Sequence, residues 1–141
     1  MKRIVVILLC SLYGMVGIGA QEAMTPIDLQ CEHLVNPLGI DATHPRFSWK
    51  LQSSRQGVTQ HSYRIIVGTD SLAVTQGKGN SWDSGIVESD CTLSHYQGNK
   101  LLPFTRYFWK VQVEEQPDIP QTSSKVQAFE TGMMKVDNWQ G

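Results

Sequence analysis

Apolar residues in this chain recur at every second position in short runs, and the runs are separated by Gly, Pro, Asn and Ser. That is the period of β-strands with one buried face. The clearest run places Tyr107, Trp109, Val111 and Val113 on one face and Phe108, Lys110 and Gln112 on the other. Pro103 ends what precedes it, because it lacks an amide donor and biases Leu102 toward extended geometry. The spacing Leu101-Leu102-Pro103-Phe104-Thr105-Arg106-Tyr107 predicts a tyrosine corner, in which the ring enters the core and the hydroxyl ties down the incoming loop.

Six further strands follow from the same reading. In the first, Ile27, Leu29, Cys31 and His33 alternate with Asp28, Gln30 and Glu32, behind a Pro26 that an edge strand tolerates. Phe47, Trp49 and Leu51 form the buried face of 46–52, and Tyr63, Ile65 and Val67 that of 60–68. Leu72 and Val74 are expected to anchor a short helical turn. An edge strand is expected at 82–87. Another at 91–96 puts Cys91, Leu93 and His95 on one face, and a last one at 125–131 turns Val126 and Ala128 inward with Phe129 near its end. Turn residues punctuate these runs every 8–12 residues or so, and no amphipathic helix intervenes. The fold class is therefore all-β, a seven-stranded antiparallel β-sandwich with Trp49, Tyr63, Tyr107 and Trp109 in its core.

The N-terminus changes the domain picture. Lys2 and Arg3 precede the apolar run Ile4–Leu9, which continues less strictly to Ile18 and meets a small residue, Ala20, before Gln21. This order of charged, apolar and small residues is that of a secretory signal peptide over 1–20. The run is short for a membrane anchor and is broken by Ser11, Gly14 and Gly17. Leu9 stands where a lipidated Cys10 would need a small residue. The expected product is exported, periplasmic or extracellular, with no membrane attachment after cleavage. Residues 21–132 form the sandwich, and 133–141 are a linker or the start of a next domain. Cleavage after Ala20 reduces twelve basic residues to ten against thirteen acidic ones, a net charge of −3. A nucleic-acid partner would need clustered basic charge instead.

Two cysteines follow Ala20, Cys31 and Cys91. On the first and fifth strands of one sheet, with the second strand between, their Cα atoms would lie about 9–10 Å apart at a strand spacing of about 4.8 Å. Bridging requires less than roughly 7 Å, so both are expected as free, small, buried hydrophobes.

Candidate chemistry is sparse. Glycoside hydrolysis needs two carboxyl groups about 5–9.5 Å apart across a cleft. The acidic residues here fall in turns, loops and outward strand positions, and Glu114 and Glu115 point to opposite faces. No catalytic residue is expected. Cys31 and His33 share a strand face, but a metal needs two more converging ligands, and His44, His61 and His95 are scattered. Gly77-Lys78-Gly79-Asn80-Ser81 lacks the spacing and following helix of a phosphate loop. No cofactor is expected. The one candidate site is an aromatic sugar platform of Trp82 and Tyr96 on short or edge strands, set against the plainer reading that both rings pack at sandwich edges.

Several runs together resemble a known family. Leu29-Gln30-Cys31-Glu32, Asn36-Pro37-Leu38-Gly39-Ile40-Asp41 and Pro45-Arg46-Phe47-Ser48-Trp49 are similar to the N-terminal module of bacterial α-L-rhamnosidases of glycoside hydrolase family 78. Gln60–Ile65, Trp82-Asp83-Ser84-Gly85, Tyr107–Val111 and Phe129-Glu130-Thr131-Gly132 fit the same pattern. The resemblance implies a fibronectin type III- or immunoglobulin-like sandwich. It also implies large exported enzymes that remove terminal α-L-rhamnose by inversion, with catalytic carboxylates on a distant helical barrel that no position here matches. Asn138-Trp139-Gln140-Gly141 resembles the opening of the family's next domain, so the chain reads as a truncated or split product.

The expected function is that of a non-catalytic accessory module. Its partners would be downstream domains of the parent hydrolase and, through the platform, a rhamnosylated glycan. The alternative is a free-standing exported module that binds glycan or protein. The sequence of 133–141 has no periodicity that assigns Met133, Met134 and Trp139 to a core, so the tail either folds back or leads into another domain. The second is the expectation.

Overall fold

The structure is a computed structural model that describes residues 23–117 and 121–134. Residues 1–20, expected to be a signal peptide, and most of the tail, Trp139 included, lie outside the described residues. The first sheet runs in the order β1 (Thr25–Cys31), β2 (Arg46–Gln52), β6 (Leu93–His95). At the centre of the second, β3 (Ser62–Gly68) pairs with β7 (Arg106–Glu114). Two short strands, β4 (Trp82–Asp83) and β5 (Val87–Glu88), share the free edge of β3. On the far side of β7, β8 (Thr122–Ser123) and β9 (Gln127–Glu130) share an edge in the same way. The described residues thus fill seven strand positions, three in one sheet and four in the other, all antiparallel. Each outer position of the second sheet is broken once. Gly85, at a φ of +65°, interrupts the expected 82–87 strand, and the expected 125–131 strand starts at Gln127, after the separate two-residue β8.

The two sheets close on a core of aromatic rings. The Phe47 and Trp109 centroids lie 4.4 Å apart, Trp49 meets Tyr63 edge-on at 5.1 Å, and Tyr107 stacks on Phe129 at 5.2 Å. Trp49, Tyr63, Tyr107 and Trp109 are all buried. Trp49 also satisfies its indole N–H inside the core by donating to Gln60 Oε1 at 2.9 Å.

Three strands depart from simple alternation. In β1 the register slips between Ile27 and Gln30, and Asp28 sits at a φ of +51°. This bulge inserts one residue and shifts the phase, so Met24 and Pro26 are buried before it and Leu29 and Cys31 after it, while Ile27 is only half-buried. His33 is not on the strand at all. Beyond Cys31 the chain turns through Glu32 and His33, both at positive φ, and the Cys31–His33 shared face does not form. In the 91–96 run the face carrying Cys91, Leu93 and His95 is the outer one, and Tyr96 points in. Cys91 is therefore exposed, not a buried hydrophobe, and both cysteines are free. In β9 the inward residues are Phe129 and then Thr131, not Val126 and Ala128.

The outer face of the second sheet is also covered. Helix α1 (Ser71–Thr75) is capped by Asp70, whose carboxylate accepts from Leu72 N at 2.9 Å, and it buries Val74 on that face. Leu72 points to solvent and anchors nothing. Ile66 becomes fully buried, and Lys110, only 5 % exposed, donates from Nζ to Thr75 O at 3.0 Å. Burial holds the Lys110 ammonium below its ordinary pKa, and the nearby Arg64 adds to this.

The tyrosine corner forms as the spacing predicts: Tyr107 Oη accepts from Leu102 N at 2.9 Å, five residues back. Tyr107→Phe removes that acceptor and leaves a partly buried amide unpaired, at a cost of about 1–3 kcal/mol. Urea unfolding is expected to show a lower midpoint with an unchanged slope. An unmoved midpoint would mean that the bond contributes nothing.

Candidate functional site

The most elaborated part of the molecule is the end of the sandwich where the described chain leaves the last strand. Three segments distant in sequence meet there. Asn36–Asp41 forms the first, and its turn requires a φ of +46° at Asn36 and +76° at Gly39. Leu101–Thr105 is the second and Phe129–Met134 the third. Asn36 Oδ1 accepts from Ala128 N at 3.0 Å, and Pro37 O accepts from Glu130 N at 2.9 Å. Ile40 then pairs in parallel with Thr131, donating to Glu130 O at 2.9 Å and accepting from Gly132 N at 2.8 Å. Asp41 Oδ1 takes the Met134 amide at 2.9 Å.

The second segment closes the other side of the exit strand. Phe104 N donates to Gly132 O and Thr131 N to Thr105 O, both at 2.9 Å. Buried Thr131 Oγ1 accepts from Thr105 N at 2.9 Å and donates to Leu102 O. Gly132 is required by space rather than by dihedral. A Cβ there would lie 2.8 Å from Asp41 Oδ1 and 3.1 Å from Gly39 O.

Around this clasp the surface is apolar. Leu38 is 71 % exposed, Leu102 59 % and Phe104 72 %. Phe104 holds its backbone at a φ of +51°, which a non-glycine residue rarely adopts, and yet presents its ring to solvent. Grouped exposed hydrophobics of this kind mark contact surfaces. A shallow pocket touches Gly39, Phe104 and Glu130, and a larger cleft of about 550 Å³ lies beside Leu102 and Met134. The sequence carried a trace of this surface: Leu102 and Phe104 stand on the opposite parity to Tyr107, where alternation calls for polar residues.

The expected sugar platform does not stand. Trp82 and Tyr96 do meet, edge to face at 5.4 Å, but Tyr96 is only 1 % exposed. Its ring packs on Phe47, and its hydroxyl donates to Asn99 O at 2.6 Å. Burial, and then the neighbouring Tyr107, push that hydroxyl up to about 12. Trp82 packs on the core beside Phe47 and offers no paired face.

Three acidic groups, Glu32, Asp83 and Glu115, are paired with arginines of the scaffold. Burial pushes the Glu32 carboxyl up, but the Arg46 amide and guanidinium outweigh it and hold the group below its ordinary pKa. Arg64 holds Asp83 low through a bond of 2.8 Å, and Arg55 does the same for Glu115, with help from Met24 N. A glycosidase acid must be kept protonated, the opposite displacement. The Cys31 thiol is pushed up to about 12 by burial, and next by Glu32, which disfavours the thiolate that metal binding needs. Among the described residues no three His, Cys, Asp or Glu side chains are placed to hold a metal. In the 77–81 loop, Asn80 bonds Thr69 N and Oγ1, both at 2.9 Å, so that loop fastens the helical excursion to β3.

A family model described as the Rha78A-like, N-terminal immunoglobulin domain matches residues 26–135. The chain belongs to this family. The α-L-rhamnosidase of Streptomyces avermitilis is 37 % identical over 109 residues, which are 77 % of this chain and 10 % of that protein. An α-L-rhamnosidase of Formosa agariphila is 32 % identical over 105 residues, 74 % of this chain and 11 % of that protein. The solved α-L-rhamnosidase of Dictyoglumus thermophilum superposes with a TM-score of 0.78 at 36 % identity, covering 84 % of this chain and 14 % of that one. The S. avermitilis enzyme, solved in complex with L-rhamnose, gives a TM-score of 0.77 at 35 % identity, covering 84 % of this chain and 11 % of that one. This immunoglobulin domain thus spans about a tenth of the length of the curated relatives it matches. Two of the runs that carry the resemblance, Asn36–Asp41 and Phe129–Gly132, lie in the clasp.

Gly132→Ala is expected to force the clasp apart and to cost about 1–3 kcal/mol, as overpacking does. Thermal or urea unfolding measures the loss, and wild-type stability in this variant would show that the contact at Gly132 is not tight.

Proposed function

We propose that this chain is a non-catalytic, N-terminal accessory module of an exported α-L-rhamnosidase-like glycoside hydrolase, whose parent activity is hydrolysis of terminal α-L-rhamnose. The observation that carries the reading is the match to proteins named α-L-rhamnosidase over only about a tenth of their length. The geometry agrees with it. The paired carboxylates are held ionised by arginines, and hydrogen-bonded loops surround the point where the chain leaves its last strand. In this reading the apolar face formed by Leu38 and Phe104 packs against a downstream domain of the same polypeptide, and the clasp fixes the angle at which that domain follows. Contact with rhamnosylated glycan belongs to the rest of the hydrolase, since burial removes Tyr96 from any stacking platform. Export rests on the charged, apolar and small-residue order of residues 1–20.

The purified 121-residue form starting at Gln21 is expected to release no aryl alcohol from an aryl α-L-rhamnoside, and to show no saturable change in tryptophan emission with rhamnose. Turnover that copurifies with this form would refute the assignment of the chemistry elsewhere. A saturable emission change would restore a glycan-binding role.

A further inference from the structure

Helix α1 covers the Ile66 and Lys110 end of the outer face of the second sheet. At the other end of β3, the register sets Ser62 opposite Glu88 of β5 on one side and Glu114 of β7 on the other. Residues directly opposite in antiparallel pairs share a face, so these three side chains form one row across three strands. Gln112, two residues before Glu114, stands on the same face in the next row. Of the three buried side-chain polar atoms without a hydrogen bond among the described residues, two are here: Ser62 Oγ and Gln112 Oε1. Ser62 is only 1 % exposed, so its hydroxyl has lost water without gaining a protein partner.

The two carboxylates of the row are uncompensated as well. Glu32, Asp83 and Glu115 each meet an arginine, Asp28 meets Lys50, and Glu130 meets Arg106. Glu88 and Glu114 are in none of the ion pairs among the described residues. Arg64, the cation on the same face of β3, is turned to Asp83 through a bond of 2.8 Å from Nε. Glu114 Oε1 accepts from Gln121 Nε2 at 2.8 Å, which leaves its second oxygen, and Glu88 is exposed. The row and its neighbour thus offer two carboxylates and two neutral oxygens, with no nitrogen or sulfur. An all-oxygen set of this kind suits a hard divalent cation. At a strand spacing of about 4.8 Å and a calcium–oxygen distance of about 2.4 Å, an ion seated over Ser62 is within reach of a glutamate on each adjoining strand.

We propose that Glu88, Ser62, Gln112 and Glu114 form a calcium site on the outer face of β3. The two carboxylates neutralise the ion, Ser62 Oγ and Gln112 Oε1 gain the partner they lack, and water fills the remaining positions. The bound ion ties the two-residue β5 to β7 across β3, and so fastens a short edge strand that has few bonds of its own. Only two of the ligands are acidic, which places the affinity at the weak end of calcium sites, a Kd of about 10⁻⁴–10⁻³ M. This inference stands on the sheet face and does not require the parent activity to be rhamnoside hydrolysis.

The test is calorimetric titration of the chelator-treated protein with calcium chloride, together with thermal unfolding at constant ionic strength. One saturable site is expected, and a Tm higher by about 3–8 °C at about 10 mM calcium. Glu88→Gln, at an exposed position, is expected to keep the calcium-free Tm and to weaken binding at least about tenfold. Ser62→Ala removes a hydroxyl without a partner, so it is expected to leave the calcium-free Tm equal or higher and to lose most of the rise. Asp28→Asn, a carboxylate away from the site, is expected to bind calcium as wild type does. Four outcomes would overturn the proposal: no saturable heat by about 10 mM calcium, a rise in Tm that sodium chloride of equal ionic strength reproduces, undiminished binding in Glu88→Gln, or a Ser62→Ala variant that is less stable without calcium yet keeps the full rise. The last result would place a buried water, not an ion, at the Ser62 hydroxyl.

Discussion

The backbone bonds between Ile40 and the Glu130–Gly132 strand hold together the part of the structure on which its role depends. A strand leaving a sandwich has unpaired amides and carbonyls, and burying them unpaired costs free energy comparable to a lost hydrogen bond. Here both edges of the exit strand are used. Asn36–Asp41 pairs with one side, and Phe104 and Thr105 pair with the other. Residues about ninety positions apart are joined, so the clasp forms only when both sheets are in place. The tyrosine corner belongs to the same unit. Tyr107 fixes Leu102 N from the core side, and Thr131 Oγ1 takes the carbonyl of that same residue.

Such an end is rigid and apolar at once, which is what a rigid connection between domains requires. Fixed backbone sets direction, and exposed Leu38, Leu102 and Phe104 supply surface to be covered. Glu32, Asp83 and Glu115, by contrast, are spent on arginine pairs away from the clasp. In the proposed reading the clasp residues serve attachment, in keeping with a family whose matched relatives carry this domain as about a tenth of their length.

Much of this was legible in the chain. The Tyr107–Val113 alternation, the Pro103–Tyr107 spacing and the seven strand positions follow from period two and turn chemistry alone. What failed was phase. A bulge at Asp28 shifted β1 by one residue, and nothing in Ile27-Asp28-Leu29 announces an extra residue. In the 91–96 and 125–131 runs both parities carry apolar residues, so alternation cannot choose, and Tyr96 and Phe129 won the interior by ring size. Lys110 was assigned to an outer face that α1 covers, burying it together with Ile66, a tertiary effect absent from any local pattern. The platform failed for a related reason: an edge strand was read as an exposed one, and Tyr96 fills the space beside Phe47. The clasp was visible only as two specific motifs, since pairing between distant loops leaves no periodicity.

Native-state hydrogen exchange tests the central claim most directly, because it reports each amide separately. The amides of Ile40, Leu102, Phe104 and Gly132 are predicted to exchange only through global unfolding, with the same opening free energy as Val111 in the central strand. Exchange of these four at the rates of an open loop, while Val111 stays protected, would contradict the account. The exit end would then be a flexible terminus rather than a fixed mount.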